Sequence, residues 1–142
     1  MVLERHDTQT KACLAAIELP KWIRVIDAAP GTIKTKPRAL NYGLPFCSGE
    51  IIGVLYAEDA PEPDQLRSVV TKFSSVSAKT VCLQGRLDHY NPQSNWLARC
   101  FTMEYASWFR VMLPALAQIG FAIPLGGTTL YFRRSALVEL GG

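Results

Sequence analysis

Short apolar, β-rich runs alternate along this chain with stretches of helical spacing, and that alternation constrains the fold more than any other feature. Residues 51–56, Ile-Ile-Gly-Val-Leu-Tyr, form a near-continuous apolar run. Such a run suits a strand buried on both faces of a parallel sheet. Residues 22–26, 80–84 and 128–132 read as further strands. A first helix is predicted over 8–17, capped by Asp7 or Thr8, with Cys13, Leu14 and Ile17 as its apolar stripe. Thr35 opens a second helix with Pro37 in its first turn, and Leu40 and Leu44 share a face. Leu66, Val69, Val70 and Phe73 place a third helix after the Pro-rich loop 57–63. A long helix from Trp96 carries Leu97, Phe101, Tyr105, Trp108 and Met112 along one face, and residues 134–140 make a closing helix. Strand–helix alternation of this kind predicts an α/β fold, with a mostly parallel sheet and flanking helices.

The 142 residues are one domain's worth, spanning 1–142, and are enough to bury a proper core. Hydrophobic residues at 49% against charged ones at 19% exclude a disordered or low-complexity chain. A net charge of +3 is too mild for the concentrated basic face that nucleic acid requires. Four cysteines, at 13, 47, 82 and 100, form no C-x-x-C pair. Each reads as a small buried apolar residue in a reducing environment. The longest uncharged apolar stretch, 111–129, is broken by Pro114, Gly120, Pro124, Gly126 and Gly127. It falls short of the about 20 continuous apolar residues of a spanning helix, so the chain reads as soluble.

Ligands of α/β sheets sit outside the carboxyl ends of the strands, which points to the loop after Tyr56. Glu58, Asp59, Glu62 and Asp64 crowd into that loop. Clustered carboxylates at such a place suit Mg²⁺ or Mn²⁺, which in turn grips a diphosphate. Glu62 and Asp64 precede the third helix and fit better as partners of its dipole. For Glu58 and Asp59 both readings stand. Lys36, at a helix N-terminus, suits a phosphate or is a solvated surface lysine. His6 and His89 lack metal-ligand spacing and read as non-catalytic, and Trp96, Tyr105 and Trp108 read as core. No G-x-G-x-x-G or P-loop run occurs, which removes support for dinucleotide or P-loop chemistry.

Four runs carry a resemblance across nearly the whole chain. They are Thr35-Lys36-Pro37-Arg38-Ala39-Leu40-Asn41-Tyr42-Gly43-Leu44, Ala57-Glu58-Asp59-Ala60-Pro61-Glu62-Pro63-Asp64-Gln65-Leu66, Leu83-Gln84-Gly85-Arg86-Leu87 with Asn95-Trp96-Leu97, and Gly126-Gly127-Thr128 with Phe132-Arg133-Arg134-Ser135-Ala136-Leu137. Together they resemble glycosyltransferase family 2, in its bacterial, processive, membrane-associated branch of cellulose-synthase-like enzymes. The resemblance implies a Rossmann-like GT-A fold. It also implies inverting transfer of a sugar from a nucleotide-sugar donor, a UDP-sugar first, to a hydroxyl of a glycan or other acceptor. By the same resemblance Lys36, Asn41 and Glu58 belong to the donor side, and Glu58 and Asp59 stand where the family holds Mg²⁺ or Mn²⁺. Gln84, Arg86, Gly126, Gly127 and Thr128 belong to the acceptor side. The implied location is the cytoplasmic face of the inner or plasma membrane.

Three departures accompany the resemblance. Tyr56 stands where relatives usually carry Asp, and a phenol does not replace a carboxylate at neutral pH. The start, Val2-Leu3-Glu4, resembles the end of the family's second strand. The end, Leu140-Gly141-Gly142, resembles a point before the catalytic base and the membrane helices. The chain therefore reads as an incomplete, internal piece of the GT-A catalytic domain that holds no catalytic base, is inactive alone and meets the membrane only through other segments. A piece lacking the strand between its second and fourth is expected to be poorly stable, to aggregate, or to pair residues 22–26 with 51–56. Tyr56 also keeps open a second function, a non-catalytic binding or interaction module on a degenerate GT-A scaffold.

Overall fold

The computed structural model describes residues 1–31 and 35–141, so Gly142, the last of the Leu140-Gly141-Gly142 run, lies outside the described residues. They fall into two compact units, Met1–Gly49 together with the last residues from Glu139, and Glu50–Val138.

The first unit is a small βαβ arrangement. Strand β1 (Val2–Leu3) runs parallel to β2 (Ile26–Asp27), with Val2 opposite Ile26 and Leu3 opposite Asp27. Helix α1 (Thr8–Ala15) lies between them in sequence. Of the two predicted caps, Asp7 does the work: its carboxylate accepts from the Thr10 N–H at 2.9 Å and from the Thr10 hydroxyl at 2.6 Å. Those bonds to the ionised form hold the Asp7 carboxyl below the usual carboxylate range. Helix α2 (Lys36–Gly43) begins after Thr35, whose side chain makes no capping bond, and has Pro37 in its first turn. The Arg38 guanidinium reaches from α2 to the Glu4 carboxylate at 3.2 Å, and Lys11 pairs with Asp27 at 2.8 Å. The predicted apolar stripe of α1 is not a core face: no α1 residue is buried, Cys13 is exposed, and Ile17 just beyond it is also exposed.

The second unit is built on a three-stranded sheet of order β3-β5-β4, comprising β3 (Ile51–Val54), β4 (Cys82–Gln84) and β5 (Leu130–Arg133). β5 is antiparallel to both neighbours, pairing Gly53 with Tyr131 on one side and Leu83 with Tyr131 on the other. The expectation of a mostly parallel sheet is therefore corrected. β3 and β4 run the same way and are joined through helix α3 (Gln65–Ser75), which leaves a slot one strand wide between them. The chain enters that slot at the ends where β3 and β4 finish, since the Thr129 N–H donates to the Val54 carbonyl and the Gly85 N–H to the Thr129 carbonyl. It can only run back. The pairing expected between 22–26 and 51–56 does not form: β2 pairs with β1 and β3 with β5.

In this unit Leu130 and Tyr131 of the central strand are buried, as are Phe73, Phe109 and Leu113 on the helices. β3 is only half-buried rather than covered on both faces, so its apolar run overstated its burial. The long helix predicted from Trp96 is interrupted. Helix α4 (Trp96–Ser107) passes into one π turn (Trp108–Met112) and then α5 (Leu113–Gln118). Pro114 explains the interruption: it has no N–H to give, and its ring would strike the Arg110 carbonyl in an unbroken α-helix. The widened turn, with the Leu113 N–H donating to the Trp108 carbonyl, makes room. The less exposed face runs one residue beside the predicted stripe, through Ala98, Thr102, Phe109 and Leu113. Phe109 and Leu113 point inward, while Leu97, Phe101, Trp108 and Met112 of the predicted stripe are exposed.

The cysteines divide likewise. Cys13 and Cys100 are exposed, and Cys47 and Cys82 are partly buried. Burial pushes the Cys82 thiol up to about 11. With an alkylating reagent near pH 8, Cys13 and Cys100 are expected to react first and Cys82 roughly a hundredfold more slowly, because only the thiolate attacks. Peptide mapping of the time course checks this, and early labelling of Cys82 would contradict it.

Candidate functional site

The carboxyl ends of β3 and β4 and the entry to β5 meet at one place, and three of the sequence-predicted segments converge there. Residues 56–59 form a tight turn. The Asp59 N–H donates to the Tyr56 carbonyl at 3.1 Å, and the Tyr56 N–H donates back to Asp59 Oδ2 at 2.6 Å. The same Oδ2 accepts from the Thr128 hydroxyl. One carboxylate oxygen thus closes the acidic turn on itself and ties it to the Gly-Gly-Thr turn, 69 residues further along. Among the described residues no hydrogen bond is formed at Oδ1.

Gln84, the last residue of β4, holds the Gly-Gly-Thr turn from the other side. Its Oε1 accepts from the Gly126 N–H at 2.8 Å, and its Nε2 donates to the Gly85 carbonyl at 3.0 Å and the Thr128 carbonyl at 3.2 Å. Both ends of the amide are engaged in shaping the turn. Gly127 lies beneath the Tyr56 ring, and a Cβ there would sit 3.0 Å from the Tyr56 hydroxyl. The hydroxyl end of Tyr56 thus packs against the turn. Thr129, the next residue, has φ 56 and is buried. That left-handed conformation is costly for a β-branched residue, and such strain gathers at functional sites.

The other predicted residues are placed more simply. Glu58 is exposed at the tip of the acidic turn, and Arg86 is exposed two residues beyond β4. Glu62 and Asp64 precede α3, with Asp64 at its N-cap position and no side-chain capping bond. Lys36 and Asn41 belong to the first unit, both exposed on α2 and about 140° apart around its axis, so they do not share a face. His89 packs its ring 4.7 Å from Tyr105 and 5.7 Å from Phe101.

Sequence reasoning missed Tyr131. It is 2% exposed, and its hydroxyl has no hydrogen-bond partner among the described residues. Burial pushes its phenol up, the negative charge of Asp59 adds to that, and the Gln65 side chain opposes it without closing a full hydrogen bond. A buried hydroxyl left unsatisfied costs about 1–3 kcal/mol and calls for an explanation. The only signal in the sequence was a tyrosine, rather than a phenylalanine, between Leu130 and Phe132.

Glu58 and Asp59 offer oxygen ligands only, which suits a hard cation. The described residues contain no group of three His, Cys, Asp or Glu side chains able to hold one. A cation at Asp59 would therefore complete its shell with water and the oxygens of a diphosphate, as Mg²⁺ commonly does. The uncommitted Oδ1 fits that role.

The fold and site together are those of an α/β domain with its polar residues gathered at the carboxyl ends of the strands. A family model described as glycosyltransferase-like family 2 matches residues 1–142, and the chain belongs to that family. Membership implies a Rossmann-like GT-A fold and glycosyltransferase activity in general. Members generally bind nucleotide-sugar donors and glycan acceptors. No curated protein and no solved structure matches the chain. Among the described residues, no helix is long and apolar enough to cross a membrane.

Proposed function

We propose that the chain serves inverting transfer of a sugar from a nucleotide-diphosphate donor, a UDP-sugar first, to a hydroxyl of a glycan or other acceptor. The observation that carries this reading is Asp59, held rigidly through one oxygen while the other stays open at the end of β3. Asp59, with Glu58 beside it, is the proposed ligand of Mg²⁺ or Mn²⁺. The cation would neutralise charge on the diphosphate. Lys36, Asn41 and Glu58 are assigned to the donor side. Arg86 and the turn of Gly126, Gly127 and Thr128, held in shape by Gln84, are assigned to the acceptor side.

Thr128 gives these two sides a physical connection, because its hydroxyl ends on the proposed metal ligand while its carbonyl ends on Gln84. Placement in the bacterial membrane-associated branch, on the cytoplasmic face, belongs to the same proposal. The exposed apolar side chains of Trp96, Met103, Val111, Ile119 and Phe121 support it.

Calorimetric titration with UDP and Mn²⁺ tests the reading. Heat of UDP binding that depends on Mn²⁺, and that the double variant Glu58→Ala, Asp59→Ala abolishes, is the expected result. Equal heats for wild type and double variant would remove these residues from the site. A second reading, a non-catalytic binding module, is favoured by the Tyr56 ring lying over Gly127. It predicts glycan binding that is indifferent to Mn²⁺.

A further inference from the structure

We infer that Thr128 is a positioning residue for the cation site: its hydroxyl holds Oδ2 of Asp59 so that Oδ1 is the oxygen left for the metal, and Gln84 acts on cation affinity through it. This rests on the proposed role of Asp59, and it gives Thr128 a task beyond the acceptor side.

A carboxylate oxygen offers two lone-pair directions. Asp59 Oδ2 receives two donors, the Tyr56 N–H at 2.6 Å and the Thr128 hydroxyl. Both directions are thereby taken, and Oδ1 remains for a cation. The two donors do different things. Tyr56 belongs to the same tight turn, three residues away, so its bond fixes the carboxylate only relative to its own turn. Thr128 lies 69 residues along the chain, so its bond fixes that turn relative to the sheet. The hydroxyl is itself firmly placed, because the peptide joining Thr128 to Thr129 is held at both polar groups. Its carbonyl accepts from Gln84 Nε2 at 3.2 Å, and its N–H donates to the Val54 carbonyl at 2.8 Å. Gln84 ends β4 and Val54 ends β3, so both strands that flank the slot fix the residue that fixes Asp59. Gln84 also accepts from the Gly126 N–H at 2.8 Å and so holds the start of the same turn. A carboxylate free to rotate loses that freedom on taking a cation, whereas one already held does not. Hydrogen-bond partners behind a metal-ligating group commonly govern metal affinity by about 10- to 100-fold.

The test is Mn²⁺ affinity, with Mn²⁺ alone as the probe, followed by electron paramagnetic resonance on wild type, Asp59→Asn, Thr128→Val, Thr128→Ser and Gln84→Met, with a thermal melt of each. Valine keeps the shape of threonine without the hydroxyl, and serine keeps the hydroxyl. Thr128→Val is expected to bind Mn²⁺ more weakly by roughly tenfold or more, and Thr128→Ser to bind close to wild type. Gln84→Met, which leaves both Asp59 and Thr128 in the chain, is expected to weaken binding as well. A merely structural role would lower the melting temperature of Thr128→Val and leave the affinity of the folded protein unchanged. If Asp59→Asn abolishes binding while Thr128→Val binds as well as wild type, or better, this inference is overturned and the reading of Asp59 stands. Tighter binding would mean that the hydroxyl occupies an oxygen the cation needs. A Thr128→Ser protein as weak as Thr128→Val overturns it too, since the hydroxyl is then not the operative group. Unchanged affinity in Gln84→Met overturns the part assigned to Gln84. If wild type binds no Mn²⁺, or Asp59→Asn binds it equally well, the reading of Asp59 falls and this inference falls with it. Should Thr128→Val fail to melt cooperatively, Thr128→Ala, which removes the hydroxyl and adds no bulk, is read by the same outcomes.

Discussion

Replacing Arg133 with alanine is expected to lower the stability of the chain by about 3 kcal/mol. Arg133 ends β5, and its guanidinium binds two carbonyls that no other side chain reaches among the described hydrogen bonds. Nε donates to Thr80 at 3.0 Å and a terminal nitrogen to Phe73 at 3.0 Å. The guanidinium carbon also stands 4.8 Å from the centre of the Phe73 ring. One side chain therefore fastens the last turn of α3 and the segment leading into β4 to the central strand. Charge-assisted hydrogen bonds contribute about 1.5–3 kcal/mol each when well buried, and a cation–π contact about 0.5–2. Arg133 is only half-buried, so we place the sum near the lower end of that range. Set against a total stability of roughly 5–15 kcal/mol, this is a large fraction. Arg133→Lys is expected to recover less than half, because an ammonium cannot span two carbonyls as a planar fork does. Urea melts of the three proteins check this, and a change under about 0.5 kcal/mol for Arg133→Ala would show that the fork is replaceable by water.

The same residue shows what could be read from the chain beforehand. Phe132-Arg133 took part in the family resemblance, so the position was visible, but its task was not: its partners lie 53 and 60 residues away, beyond any periodicity. Local spacing did locate the elements. The third helix, the β3 run and the closing helix all form near their expected places, because an apolar period of 3.6 or a short β-rich run is a local property. Direction in the sheet is not local. The residues 128–132 look alike whether they run parallel or antiparallel, and only the slot between β3 and β4 decides. The face of the long helix was misplaced by one residue: the less exposed positions, 98, 102, 105, 109 and 113, do step by three and four, but beside the more apolar set that begins at Leu97. At the site, Glu58 and Asp59 were legible as an acidic turn after a strand. That Asp59 would be held by Thr128 was not, because the two lie 69 residues apart.

The second large effect concerns Gly85, and it tests whether the platform beneath the site is as tightly fitted as it looks. The Gly85 N–H donates to the Thr129 carbonyl at 2.9 Å, which joins the end of β4 to the entry of β5. A Cβ at position 85 would lie 2.3 Å from Thr129 Cγ2 and 3.2 Å from its carbonyl oxygen. Neither atom can withdraw easily. Thr129 is buried, its φ of 56 leaves few rotamers, and its N–H is tied to the Val54 carbonyl at 2.8 Å. Gly85→Ala is therefore expected to cost about 2–3 kcal/mol, the upper part of what overpacking usually costs. It should also loosen Gln84 and, through it, the Gly-Gly-Thr turn, so UDP binding in the presence of Mn²⁺ should weaken along with stability. Thr129→Gly alone is expected to change stability little, because relief of the left-handed strain offsets the flexibility that glycine adds to the unfolded chain. Combined, the two substitutions should be less damaging than their separate effects summed, by roughly 1 kcal/mol or more, since the glycine removes the methyl that the new Cβ strikes. A double-mutant cycle from denaturant melts measures that coupling. Simple additivity would mean that the strain of Gly85→Ala is relieved elsewhere, and that the two strand ends are not locked through this contact.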